Sequence, residues 1–333
     1  MSIKDKLKIY LITYNRKDTL IRTFEQIFAN NSPIKDFDIT ILNNHSDDGT
    51  DDVIKVYQDK FPNIEHIKHS VNIGGNANIC RAFELSASCG YEYAWILCDD
   101  DIMDFSAWDE LEMCINQKKD LICVSDYSFP NEKSKKNLAN QIFQLAFVPA
   151  NIFKTEYITD SIVSSMYECI YTMFPQTCLS TYLINNNKDI CVLKKGIVIN
   201  GCCYGLDHKD SSYTRGMQLD TIIERKSITN WILGYSNIIT LLMDKHLAKN
   251  CIEAAIPYKD IYGSWTKFYE DLFVRYFNFV YFNYFYEIFK TLYKKRKLEF
   301  LNFVFLEYQK KIKSRLKILK ISKIIKIYIL LNR

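Results

Sequence analysis

The sequence predicts an α/β fold: a mostly parallel central sheet flanked by helices, followed by a mainly helical C-terminal region. Three observations carry that prediction. Over the first 125 residues, apolar runs of strand length alternate with stretches whose apolar residues recur at helical spacing. A helix between successive strands is the usual crossover of a parallel sheet, covering both its faces. From residue 217 onward the pattern reads as helix throughout.

The elements follow in order. "LKIYLITY" (7–14) is a first strand, rich in apolar residues. "KDTLIRTFEQIFAN" (17–30) spaces its apolar residues as a helix does, and "FDITILNN" (37–44) returns to strand. "TDDVIKVYQDKF" (50–61) is a second helix, and "IEHIKHS" (64–70) a third strand. "NANICRAFELSAS" (76–88), opened by a Gly-Gly pair, is a third helix. "YAWIL" (93–97) is a fourth strand; a further helix and the strand "DLICVSDY" (120–127) complete the alternation. Residues 128–145 are polar at first and read as a loop or linker. "QTCLSTYLI" (176–184) reads as helix and "DICVLKKGIVIN" (189–200) as a strand pair or one bent strand. The expected organisation is one domain over residues 1–210, in halves 1–127 and 128–210, and a helical region over 211–333.

A chain of 333 residues that is 48% hydrophobic can bury a sizeable core. Its eleven cysteines form no C-x-x-C pair and several interrupt apolar runs, which argues against a disulfide framework or a zinc site. They read as small buried hydrophobes in a reducing compartment. The N-terminus lacks the apolar stretch of a signal peptide, and no run is long and apolar enough to span a bilayer. The net charge of +4 hides an asymmetry: residues 290–333 hold 14 Lys and Arg against 2 Glu, so the rest is acidic.

The stretch "YAWILCDDD" (93–101) drives a buried strand into three consecutive aspartates. Two carboxylates ~4 Å apart repel by ~4 kcal/mol at an effective dielectric of 20, so the arrangement calls for a counter-charge. In extended backbone Asp99 and Asp101 point to one side and Asp100 to the other. Oxygen ligands suit Mg²⁺ or Mn²⁺; the competing reading is a solvated acidic turn. The other strand ends are polar too: "TYN" (13–15), "NNHSDDGT" (43–50) and "NIGGNAN" (72–78). Neither G-x-G-x-x-G nor a P-loop signature is present. In an open α/β sheet, four such ends together form a ligand rim.

The order "YLITYNR", "ILNNHSDDGT", "NIGGNANICRAFE", "WILCDDD" resembles the N-terminal half of family 2 glycosyltransferases of the GT-A fold. The resemblance covers residues 8–125 and departs at Asn43 and Asn44, where many members carry aspartate. It implies a nucleotide-sugar donor lined by Thr13, Tyr14 and Arg16, a base read by Asn43 or Asn44, and a wall shaped by Asn72 and Gly75. Asp99 would approach the base and ribose, Asp100 would join the donor-binding set, and Asp101 would ligate the cation, with Asp99 and His208 as further metal ligands. Transfer needs a base for the acceptor hydroxyl. The acidic pair that family members place at a helix start falls here on Pro175 and Gln176, and glutamine is no base. Glu168 and Asp207 are the candidates.

Near the C-terminus, Ile318, Ile321, Ile325, Tyr328 and Ile329 share one helical face, with Lys317, Lys320, Lys323 and Lys326 opposite. That pattern reads as a helix lying on an anionic membrane surface. The resulting expectation is a metal-dependent, inverting glycosyltransferase, peripheral on the inner face of a bacterial plasma membrane. Its acceptor would be a glycan or lipid-linked precursor of lipooligosaccharide, capsule or O-antigen. Nucleic acid is not expected as a partner; a homo-oligomer is compatible with this reading. The alternatives are a sugar-phosphate nucleotidyltransferase and a non-catalytic nucleotide-sugar-binding scaffold.

Overall fold

The computed structural model describes residues 2–125, 145–172, 174–199, 234–235 and 237–255. The chain divides into two units, residues 1–225 with 233–255 and residues 226–232 with 256–333, and every described residue belongs to the first. The linker stretch (but for Leu145), the helical reading from 217 to 233 and from 256 onward, and with it the basic end, lie outside the described residues.

Strands β1 (Leu7–Thr13), β2 (Ile39–Asn43), β3 (Ile64–Lys68) and β4 (Tyr93–Cys98) are parallel neighbours in the order β3-β2-β1-β4. Helices α1 (Lys17–Ile27), α2 (Thr50–Gln58) and α3 (Gly75–Ser86) connect them. Beyond β4 come β5 (Ile102–Met103), α4 (Trp108–Asn116), β6 (Leu121–Cys123) and β7 (Asn151–Lys154). Then follow α5 (Asp160–Glu168), α6 (Thr177–Asn185), β8 (Ile190–Val192), β9 (Val198–Ile199) and α7 (Lys245–Ala255). Among the described residues the main sheet has seven strands and continues β4-β7-β6-β8, with β7 antiparallel to both of its neighbours. The expected strand pair over 189–200 is two strands in two sheets, since β9 pairs with β5 instead.

Side-chain alternation sorts the core. Leu7, Ile9 and Leu11 of β1 and Tyr93, Trp95 and Leu97 of β4 pack with Leu20, Phe24 and Ile27 of α1 and Leu111 and Ile115 of α4. Spacing of three and four residues puts the α1 set on one helical stripe. The other face meets α3, which buries Cys80, Ala82 and Phe83, the last edge-on to Phe153 of β7. Among the described residues no helix is long and apolar enough to cross a membrane.

Register places the site. Thr13 pairs with Asn43 and Ile12 with Cys98, so β1, β2 and β4 end level with one another. Because β7 runs antiparallel with Trp95 opposite Ile152, the chain just before β7 lies at that same rim. The Trp95 indole N–H donates to the Pro149 carbonyl at 2.9 Å and fixes that approach.

Candidate active site

The aspartates follow a different geometry from the extended one expected. β4 stops at Cys98, and Asp99 and Asp100 form a turn, so strand alternation no longer governs where their side chains point. The Asp99 carboxylate is turned back into the fold. It accepts the Thr13 hydroxyl at 2.6 Å and the Arg16 guanidinium at 2.8 Å. The same Arg16 nitrogen reaches Asp100 at 2.8 Å. Burial pushes the Asp99 carboxyl above the ordinary carboxylate range, against the pull of Arg16. Burial also penalises the Arg16 cation, but Asp99 and Asp100 hold its pKa above the ordinary value.

The group that converges is Cys98, Asp100 and Asp101, with one ligand atom from each within 4.8 Å of the others. Asp99, expected among the metal ligands, is outside this set because its carboxylate is committed to Thr13 and Arg16. Two carboxylates suit Mg²⁺ or Mn²⁺, and it is they, rather than the softer Cys98 sulfur, that carry the fit. These residues therefore fit a divalent cation. Burial, reinforced by the three aspartates, pushes the Cys98 thiol well above its ordinary pKa. Sequence reading treats Cys98 as one more buried thiol; its place immediately before three aspartates is the signal that singles it out.

The loops after β1, β2 and β3 are stitched by side chains. Asn43 donates to Asp51 at 2.7 Å and accepts the Ser46 N–H at 2.9 Å. Asn44 donates to the Asn72 side-chain oxygen, Oδ1, at 2.8 Å and accepts the Ile73 N–H at 2.9 Å. Both asparagines are buried, so the candidates for base reading are occupied in holding the loops in shape. Asn72 also accepts the Gly74 N–H at 2.8 Å. At Gly74 φ is +87°, a conformation that favours glycine, whereas a Cβ on Gly75 would meet nothing within 4 Å. Of the two glycines it is therefore Gly74 that the turn requires. Tyr14 is half-buried just past β1. Asp48 ties two helix starts together: it accepts the Lys17 N–H of α1 at 3.0 Å and the Thr50 N–H of α2 at 3.1 Å. Burial opposes ionisation of Asp48, but the Thr50 hydroxyl and these two N–H groups hold its pKa below the ordinary value.

On the acceptor side, Gln176 immediately precedes α6 and is 1% exposed. Its amide donates to the Ala146 carbonyl at 2.6 Å, which brings it to the rim ahead of β7. Glu168 is the exposed last residue of α5, and its carboxylate makes no hydrogen bond or ion pair among the described residues. The rim is close to that turn, since Asn76 at the start of α3 donates to the Ile170 carbonyl at 2.7 Å. Asp207 and His208 lie outside the described residues.

The family model described as glycosyl transferase family 2 matches residues 8–182, just over half of the chain. The chain belongs to glycosyl transferase family 2. This family 2 member is 30% identical over 111 residues to the abequosyltransferase RfbV of Salmonella typhimurium. That match covers 33% of this chain and 32% of RfbV, so it spans about a third of the relative's length. Among solved structures, S. aureus TarS 1–349 in complex with UDP shares 16% identity at a TM-score of 0.47, over 77% of this chain and 91% of TarS 1–349. The mannosyltransferase PcManGT of Pyrobaculum calidifontis, solved with GDP-Man and Mn²⁺, shares 10% identity at a TM-score of 0.48, over 79% of this chain and 77% of that one.

Proposed function

We propose that this family 2 member transfers a sugar from a nucleotide-diphosphate donor to an acceptor hydroxyl, with inversion and with Mn²⁺ or Mg²⁺ at the aspartate turn. The observation that carries the reading is the convergence of Cys98, Asp100 and Asp101 at the carboxyl end of β4. RfbV, a named sugar transferase, supports the reaction class.

Each residue has a physical task. Asp99 anchors Arg16, and Arg16 offsets part of the negative charge crowded at the turn. Asp100 and Asp101 would hold the cation, with the Cys98 sulfur beside them. When bound, a dication neutralises charge on a departing nucleoside diphosphate as a Lewis acid. The stitched loops after β1, β2 and β3 offer the nucleotide a rigid wall. Glu168 or Asp207 takes the proton of the attacking hydroxyl; Gln176 cannot. A single displacement needs only that one base.

The acceptor class is a bacterial surface glycan or its lipid-linked precursor, with residues 310–333 holding the protein to an anionic membrane surface. Two experiments test the reading. Asp101→Ala should abolish both donor turnover and metal-dependent nucleotide binding; unchanged turnover refutes the metal role. Deleting residues 310–333 should release the protein from anionic liposomes while activity on a soluble acceptor persists, and retained binding counts against the membrane role.

Gln176 favours a second reading, a nucleotide-sugar-binding scaffold without catalysis. Slow donor hydrolysis in the absence of acceptor supports the enzyme, whereas tight donor binding without hydrolysis or transfer supports the scaffold.

A further inference from the structure

The aspartate turn is gripped from behind by α1. Thr23 and Gln26 lie three residues apart, and so on one face of that helix. The Thr23 hydroxyl, fully buried, donates to the Asp99 carbonyl at 2.8 Å. Gln26 uses both ends of its amide: the oxygen accepts the Met103 N–H at 2.8 Å, and the nitrogen reaches the Asp101 carbonyl at 3.4 Å. These bonds go to peptide groups and leave the carboxylates to other partners. They bracket the backbone on both sides of Asp100.

Like-charged side chains at a turn tend to splay apart, so something outside the turn has to set the backbone that carries them. The β5–β9 pairing helps: Met103 pairs with Val198, and the Asp104 N–H donates to the Ile197 carbonyl at 2.8 Å. That pairing begins only after Asp101. Within the turn, Thr23 holds the Asp99 carbonyl, and Gln26 reaches the Asp101 carbonyl with a nitrogen that also lies 3.3 Å from the Arg22 carbonyl of its own helix.

We propose that Thr23 and Gln26 are positioning residues for the cation site, fixing the peptide planes of Asp99 and Asp101 so that Cys98, Asp100 and Asp101 converge. The proposal rests on the reading of the turn as a cation site. Outer groups that orient metal ligands commonly affect affinity by about 10–100-fold when removed.

The test is Mn²⁺ titration of the full chain, followed by electron paramagnetic resonance of the free ion, with no nucleotide present. Thermal unfolding of each variant runs alongside. Thr23→Val keeps the shape and removes the donor; Thr23→Ser restores it. Gln26→Glu keeps an acceptor for Met103 but removes the donor to Asp101, and Gln26→Leu removes both. Thr23→Val and Gln26→Leu should weaken Mn²⁺ binding about tenfold or more, with Thr23→Ser within about twofold of the parent. Gln26→Glu, which adds a negative charge but loses a bond to the turn, should also bind more weakly. Parent-like Mn²⁺ affinity in Thr23→Val and Gln26→Leu, whatever the change in melting temperature, overturns the positioning role. Asp101→Asn separates the two levels. If it abolishes binding while the α1 variants bind normally, only the positioning role falls. If it too binds normally, the cation site itself is refuted and the positioning role with it.

Discussion

A guanidinium nitrogen of Arg16 lies 2.8 Å from the Asp99 carboxylate, and both side chains are largely withdrawn from water. The pair joins the loop after β1 to the turn after β4, across 83 residues of sequence. Removing one member of a buried pair strands the other, which costs about 3–5 kcal/mol. Arg16→Ala should lower the free energy of urea unfolding by an amount of that order. An exchange to lysine should recover only part of it, because a compact ammonium on a differently shaped stem does not take the position of the one Arg16 nitrogen that reaches both Asp99 and Asp100.

Asn44→Asp restores the aspartate common in the family but should harm this chain. The Asn44 amide donates to the Asn72 side-chain Oδ1, which also accepts the Gly74 N–H. An aspartate has no donor to offer, so two acceptors would face one another in a buried loop. The expected loss is about 1–3 kcal/mol, read from the urea midpoint. A variant as stable as the parent would show that Asn44 is not part of the stitching.

Gln176→Glu should fail as a gain-of-function change. The amide nitrogen of Gln176 donates to the Ala146 carbonyl in a site with 1% exposure. A carboxylate there would face a carbonyl oxygen without a proton to share, and burial would raise its pKa. Thermal unfolding should shift downward by the equivalent of about 1–3 kcal/mol, with no rise in turnover. A faster enzyme would instead place the proton acceptor at this position.

His66 should make stability fall with acid. Burial draws its pKa below the ordinary value; Asp51 opposes the shift and Lys68 adds to it. Below about pH 6.5 the unfolded chain takes up a proton that the folded chain still refuses. Stability is thus complete above that value, declines as the pH drops through it, and levels off below the folded pKa. The urea midpoint should be lower at about pH 5.5 than at about pH 7.5, and His66→Gln should narrow the difference. An identical pH response in the variant would exclude His66 as a source.

The alternating half of the chain was legible because each parallel strand is buried and each crossover is amphipathic. β1 to β4 and α1 to α3 stand where periodicity put them, to within a few residues. β7 escaped because it is four residues long and takes its hydrogen bonds from distant partners, so nothing local announces it. Polar strand ends announced the rim, but side-chain direction within it was another matter. Strand alternation cannot extend past Cys98 once the backbone turns. Nor can periodicity tell that Thr13 and Arg16 would claim Asp99, since only the level ends of β1 and β4 bring those loops together.

Asp48 closes the first turns of two helices with one carboxylate, and those helices follow the adjacent strands β1 and β2. A displacement of either helix start has to be matched by the other or lose a bond. The two loops are thereby mechanically coupled, and a push on one is answered by both.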